Sequence, residues 1–142
     1  MKNIDASVFF GDDIANPDTV GRFYGDMQMF ADQCSGVDPE GYMASWTTSQ
    51  VPGQANSFLG RNVQRFQSDE YDLLHARLQE TFDPQERNRI TIALNNLLVQ
   101  SYSIIPLIHR GFVSAHARGI EKVSMNSWDS ELWNFDRWTR RK

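Results

Sequence analysis

The side chains in this 142-residue chain that could do chemistry are three histidines, a single cysteine, and serines and carboxylates scattered among them. His109 and His116 stand seven apart on either side of Gly111, and His75 lies in a helical pattern beside its apolar face, where partial exposure is expected. No HExxH, paired CxxC or carboxylate-rich loop accompanies them, so no metal site is expected. Ser101 or Ser114 with His116 and an aspartate makes a nominal nucleophile set, but the GxSxG elbow is missing. GxGxxG and Walker patterns are missing too, which removes support for nucleotide binding. An enzyme using His109 or His116 is therefore the weakest reading, and neither a catalytic residue nor a cofactor is expected. Cys34 has no second cysteine to pair with and reads as an inert thiol. Trp128, Trp133 and Trp138 recur every five residues. A stacking platform for sugars or bases is the sharper reading, and packing of the tail against the body is the plainer one.

The bulk composition narrows the classes. Fourteen basic residues oppose 18 acidic ones for a net charge of -4, which argues against a nucleic-acid partner. The basic cluster Arg137, Arg140, Arg141 and Lys142 reads as a solvated tail. Apolar residues are 40% and charged residues 23%, the balance of a folded domain rather than a disordered chain. The length suits one domain with a modest core. No run approaches the roughly 18 apolar residues of a membrane span. The opening "MKNIDASVFFGDD" lacks the apolar core of a secretory signal.

The elements that must position these groups follow from periodicity. "IDASVFF", residues 4–10, alternates as a strand closed by Gly11, Asp12 and Asp13. Asn16 and Pro17 can open a short helix weakened by Gly21 and Gly25. "DMQMF", residues 26–30, predicts a second strand with Met27 and Met29 on one face and Asp26, Gln28 and Phe30 on the other. "ADQCSGVD" is loop-like, and Asp38–Pro39 can start a short helix carrying Tyr42, Met43 and Trp46. "TTSQVPGQANSFLGRN" has no period and reads as a long functional or disordered loop. Ser68 caps a helix whose apolar stripe is Tyr71, Leu74, Leu78 and Phe82. Asp83, Pro84 and Glu86 form a capping signature for a second helix with stripe Ile90, Ala93, Leu94, Leu97 and Leu98. So short a corner predicts that the two pack together. "SIIPLIH", "GFVSAHA" and "IEKVSM" predict three further strands, the first at an edge because of Pro106.

The ordered set of residues across 62–123 resembles the C-terminal part of the family 5 solute-binding proteins, the oligopeptide- and dipeptide-binding components of ABC importers. The matching residues are Ser68, Tyr71, Asp72 and Leu74, then Asp83 and Arg87, then Ile105, Pro106 and Leu107, then Val113 and Gly119. Upstream, Tyr24, Asp26, Met27 and Met29 fall on the family's strand positions, and Asp38–Pro39 falls on its "DP" pair. Phe30 stands where the family has tryptophan, and Met29 where glycine is usual. The resemblance implies an α/β fold, a partial lobe of the type II periplasmic-binding-protein class with a mixed sheet flanked by helices. It implies that residues 1–142 are a C-terminal fragment, one incomplete lobe plus the return toward the hinge. It also implies a substrate-binding component that captures peptides or another small solute, works with importer membrane subunits, and sits in the periplasm or at the cell surface.

In peptide-binding members an aspartate shortly after the aromatic position pairs with the ligand's ammonium. Asp32 is the nearest candidate here, one position closer to the aromatic than usual, with Phe30 as the wall. Cys34 shares their loop, and Asp38 is both a helix cap and a candidate ligand contact. Phe30, Asp32, Cys34 and Asp38 are thus the expected binding residues. The alternative is a truncated remnant or stand-alone interaction module without ligand binding of its own. In either case, surface that an absent lobe would cover predicts self-association.

Overall fold

A computed structural model describes residues 1–22, 24–32, 38–109, 111, 113–126 and 130–141. The body is a helical hairpin. Helix α3 (Asp69–Glu80) begins where the Ser68 hydroxyl accepts the Tyr71 N–H at 3.2 Å, and Asp69, Glu70 and Asp72 place negative charge in the first turn. Helix α4 (Pro84–Gln100) begins where the Asp83 carboxylate accepts the Glu86 N–H at 2.9 Å. The Glu86 side chain does not turn back to complete a capping box. It pairs with Arg77 at 2.6 Å and Arg89 at 3.2 Å and so bridges the two helices. Helix α2 (Glu40–Ala44) lies across both.

Their shared core is Met43, Trp46, Phe66, Tyr71, Leu78, Ile90, Leu94 and Leu98, with Tyr42, Leu74, Leu97 and Ile104 packed against it. Spacings of three and four bring the helical members to one face. Tyr71 is fully buried. Its hydroxyl donates to the Met43 carbonyl at 2.8 Å, and its ring meets Phe66 edge-on with centroids 5.3 Å apart. Burial, with lesser contributions from Tyr42 and Asp72, raises the Tyr71 phenol well above its ordinary range, so it stays a neutral donor.

Two expectations for this hairpin are corrected. Phe82 does not join the α3 stripe but is 89% exposed, because Thr81 turns extended and ends the helical period one residue earlier. His75 is buried, not partly exposed. It faces α2, with Nε2 3.0 Å from the Glu40 carboxylate but off the line of a hydrogen bond.

The strand expectations fare differently. Residues 4–10 form helix α1 (Ala6–Phe9), because Asp5 captures the Ser7 N–H and hydroxyl and sets a helical N-terminus. Residues 16–22 give turns and a 3-10 helix, Val20–Arg22. Residues 26–30 form no strand, with Asp26 in a bend, and 104–109 and the described part of 111–117 form no regular element either. Only Ile120–Glu121 (β1) of the "IEKVSM" segment is a strand. It pairs antiparallel with Thr139–Arg140 (β2) from the tail, with Ile120 opposite Arg140. Helix and strand are both present, but among the described residues the sheet is this one two-residue pair.

The tail is tied to itself. The Asn134 amide donates to Lys122 O at 2.9 Å and accepts the Trp138 indole N–H at 2.8 Å, while the Trp133 indole donates to Ser124 O. Trp138 stacks edge-on against Phe135. Trp128 lies outside the described residues. No helix among the described residues is long and apolar enough to cross a membrane.

Candidate functional site

The loop over residues 47–66, which carries no periodic signal, is ordered by two asparagine amides. Asn62 is fully buried. Its Nδ2 donates to the carbonyls of Trp46 (3.0 Å), Thr47 (3.1 Å) and Phe66 (2.7 Å), and its Oδ1 accepts the Phe66 N–H (3.0 Å). Asn56 does the same on a smaller scale, donating to Val51 O and accepting the Gly53 N–H, both at 2.9 Å. Asp72 of α3 accepts the Thr48 N–H at 2.9 Å and anchors the loop to the hairpin. Between these ties Ser57 and Phe58 adopt φ of 52° and 60°, a left-handed conformation that costs non-glycine residues about 1–2 kcal/mol each.

This loop and the N-terminal arm enclose a recess of about 300 Å³ that opens to solvent. Its apolar walls include Phe10, Phe30, Trp46 and Phe58. Phe30 is the third member of an aromatic cluster with Phe9 and Phe10, at centroid distances of 5.8 and 6.0 Å. Arg22 covers Phe58, its guanidinium 4.3 Å from the ring centre. Glycine is required both where the arm meets the loop and where the loop folds on itself. A Cβ on Gly21 would lie 2.3 Å from Phe58 O, and one on Gly60 would lie 2.1 Å from Gln50 O.

Asp12, Asp13 and Asp32 supply carboxylates to the recess, and Arg61 the opposing cation. The Arg61 guanidinium and the Asp32 carboxylate are 3.9 Å apart on exposed side chains, a separation at which the pair itself contributes little. The arrangement can hold the apolar body of a small molecule against aromatic rings, a cationic end at the carboxylates and an anionic end at Arg61.

Of the expected binding residues, the structure brings Phe30 and Asp32 together in this recess. Cys34 lies outside the described residues. Asp38 is not among the residues lining the recess. It accepts the Glu40 N–H at 2.9 Å, at the start of α2, and takes a two-pronged bond from Arg87 at 2.9 and 2.7 Å. Through its other nitrogen Arg87 donates to Leu78 O (2.9 Å) and Thr81 O (2.8 Å), closing the end of α3. The "DP" pair and the arginine after Asp83 therefore meet as one clamp joining α2, α3 and α4.

Sequence reading missed Asp12, Asp13, Trp46, Phe58 and Arg61 as recess residues. The two aspartates read as a strand terminator and Trp46 as a helix residue, and nothing in the spacing of 46, 58 and 61 shows that an asparagine latch folds them toward residues 10–32. Among the described residues no three metal-ligating side chains gather. Comparison of the sequence with protein-family models and with curated proteins, and of the structure with solved structures, finds no match. The family resemblance thus rests on the residues quoted for it.

Proposed function

We propose that this chain is a substrate-binding component of an ABC importer, or a C-terminal portion of one, that captures a peptide or similar small solute for transport. In this reading it forms part of a lobe of a type II periplasmic-binding fold, acts in the periplasm or at the cell surface, delivers its solute to importer membrane subunits, and performs no chemistry. The observation that carries the reading is the recess itself. Two residues singled out by the resemblance, Phe30 and Asp32, line one aromatic-walled cavity with Arg61 opposite. A free ammonium would sit at Asp32 and the first side chain against Phe30, with water filling the remaining volume and relaxing sequence preference.

Half of a clamp cannot enclose its ligand, so the isolated chain should bind weakly. Calorimetry with a mixed peptide pool should give no micromolar affinity. An NMR titration at high peptide concentration should still move the backbone signals of residues 30–32 and 58–61. The shifts should disappear with N-acetylated peptides and with Asp32→Asn. Shifts that ignore both changes, or none at all, would count against capture of an ammonium in this recess. The second reading, an interaction module with no ligand of its own, is favoured by the openness of the recess and by the exposed apolar residues Ile105, Leu107 and Ile108. That absence of recess shifts is its expected result.

A further inference from the structure

We infer that the solute held in the recess is a peptide whose first residue is basic, its cationic side chain running over Phe30 and Phe10 to the carboxylates of Asp12 and Asp13. The inference deepens the capture proposed above and rests on it.

The first observation is charge. Among the groups lining the recess, Asp32 has Arg61 at 3.9 Å. Asp12 and Asp13 line it too, and among the described residues no lysine or arginine pairs with either. Asp13 Oδ1 accepts the Ala15 N–H at 3.0 Å, a bond that turns the chain and leaves the carboxylate charge in place. Even with Arg22 counted, which stands on the Phe58 ring, three carboxylates face two guanidiniums. A recess with a surplus of one sign concentrates ligands of the other.

The second observation is the path along the wall. The Phe10 ring centre lies 6.0 Å from that of Phe30 and its side chain is 57% exposed. Asp12 and Asp13 follow Phe10 after a single glycine, and all of them line the recess. With the ammonium at Asp32 and the side-chain stem against Phe30, Phe10 is the adjoining apolar surface. Lysine and arginine suit such a path, because the stem is apolar and only the head is charged. An aromatic face attracts the head as well. The chain already makes this contact within itself, where the Arg22 guanidinium lies 4.3 Å from the centre of Phe58.

The third observation is an unmet donor. Trp46 is part of the same wall and only 5% exposed, yet its indole N–H has no acceptor among the described residues. A buried indole N–H ordinarily has one. The carbonyl of a bound peptide is the acceptor this wall lacks.

NMR titrations of the whole chain with lysyl-alanine and with norleucyl-alanine test the inference, since the two peptides match in shape and differ in side-chain charge. Lysyl-alanine should bind about fivefold tighter at low salt, and the advantage should shrink as salt rises. The indole N–H signal of Trp46 should move with either peptide. The Asp12→Asn/Asp13→Asn double variant, which keeps an acceptor for the Ala15 N–H, should remove the difference between the two peptides. Equal affinities in the parent chain would overturn the basic preference and leave ammonium capture standing, whereas no shifts from either peptide would overturn both. A preference for lysine that survives the double variant, or that is read without movement of Trp46, would place the cation elsewhere and overturn the inference.

Discussion

The hairpin of α3 and α4 and the stretch that follows it differ in how their backbones are satisfied. Within α3 and α4 the backbone bonds along its own helix, and end groups left over are met in part by Ser68, Asp83 and Arg87. Among the described residues, 104–109 make no backbone–backbone bond, and Ile105, Leu107 and Ile108 are exposed. Both stretches are rich in aliphatic residues. What separates them is that a helix completes its hydrogen bonds locally, whereas a segment without regular structure depends on water or a neighbour for them. Apolar content therefore gives a poor guide to which leucines hold this chain together.

That contrast is broken most directly by trimming one leucine from each region. Leu94 is fully buried between α3 and α4, so Leu94→Ala should lower unfolding free energy by about 2–5 kcal/mol, combining lost transfer energy with a cavity. Leu107→Ala in dilute protein should change it by less than about 0.5 kcal/mol. Urea titrations of the two variants beside the parent would measure both. Equal losses would mean that residue 107 is covered in the monomer, and the contrast would fail.

Next in size is the loop latch. Asn62→Ala leaves the Phe66 N–H and three carbonyls without their partner in a buried place, so a loss of about 2–3 kcal/mol is expected. The same variant should move the recess residues Phe58 and Arg61, because the latch holds the loop that carries them. NMR chemical shifts would report it. An Asn62→Ala protein with parental stability would show that the loop is held elsewhere.

The clamp ranks third and separates two roles. Arg87→Ala removes two bonds to the end of α3 together with the fork to Asp38, and should cost about 1–2 kcal/mol. Asp38→Ala removes only the exposed end of the fork and the bond to the Glu40 N–H, and should cost less than about 1 kcal/mol. A larger loss for Asp38→Ala would reverse the ranking and make the carboxylate the keystone.

These magnitudes explain what could be read in advance. The caps at Ser68 and Asp83 and the stripe through Tyr71, Leu78, Ile90, Leu94 and Leu98 are local patterns, and each stands where the sequence indicates. Alternation from 26 to 30 is equally local: Met27 and Met29 are exposed and Gln28 and Phe30 half-buried as expected, but Asp26, expected on their face, is exposed and no sheet forms there. Alternation determines which side chains share a face, not whether a partner strand exists. Residues 4–10 show the converse failure. Their alternation is overridden by one aspartate that binds the backbone two residues on. In the recess, Phe30 and Asp32 came from the resemblance, while Trp46, Phe58 and Arg61 are delivered by the Asn62 latch. A single asparagine in an aperiodic stretch has no signal to set it apart from a turn residue.

The smallest expected effect tests how loosely the N-terminal arm is tied. Lys2 Nζ and Asp18 Oδ1 are 2.5 Å apart, and the Tyr24 hydroxyl bonds to both at 3.0 and 2.8 Å. Hydrogen bonds from Lys2 first and Tyr24 second hold the Asp18 carboxyl below its usual 3.8. The bond to Asp18 first and Tyr24 second holds the Lys2 ammonium above its usual 10.5. A lowered acid stabilises the docked arm at pH above 3.8, and this is lost as pH falls through the depressed value. A raised base stabilises it below 10.5, and this is lost as pH climbs through the elevated value. The tie is therefore whole between those limits. Because Lys2 and Tyr24 are exposed, Asp18 is part-buried and all three lie within the arm, its loss should loosen the arm's own fold without unfolding the hairpin. On acidification the Tyr24 ring resonances should move before the helical signal changes, and in Asp18→Asn that early step should be missing. A Tyr24 transition that persists in Asp18→Asn, or that coincides with helix loss, would mean the arm is held by something other than this triad, and the division between a locally satisfied hairpin and weakly tethered flanks would have to be redrawn.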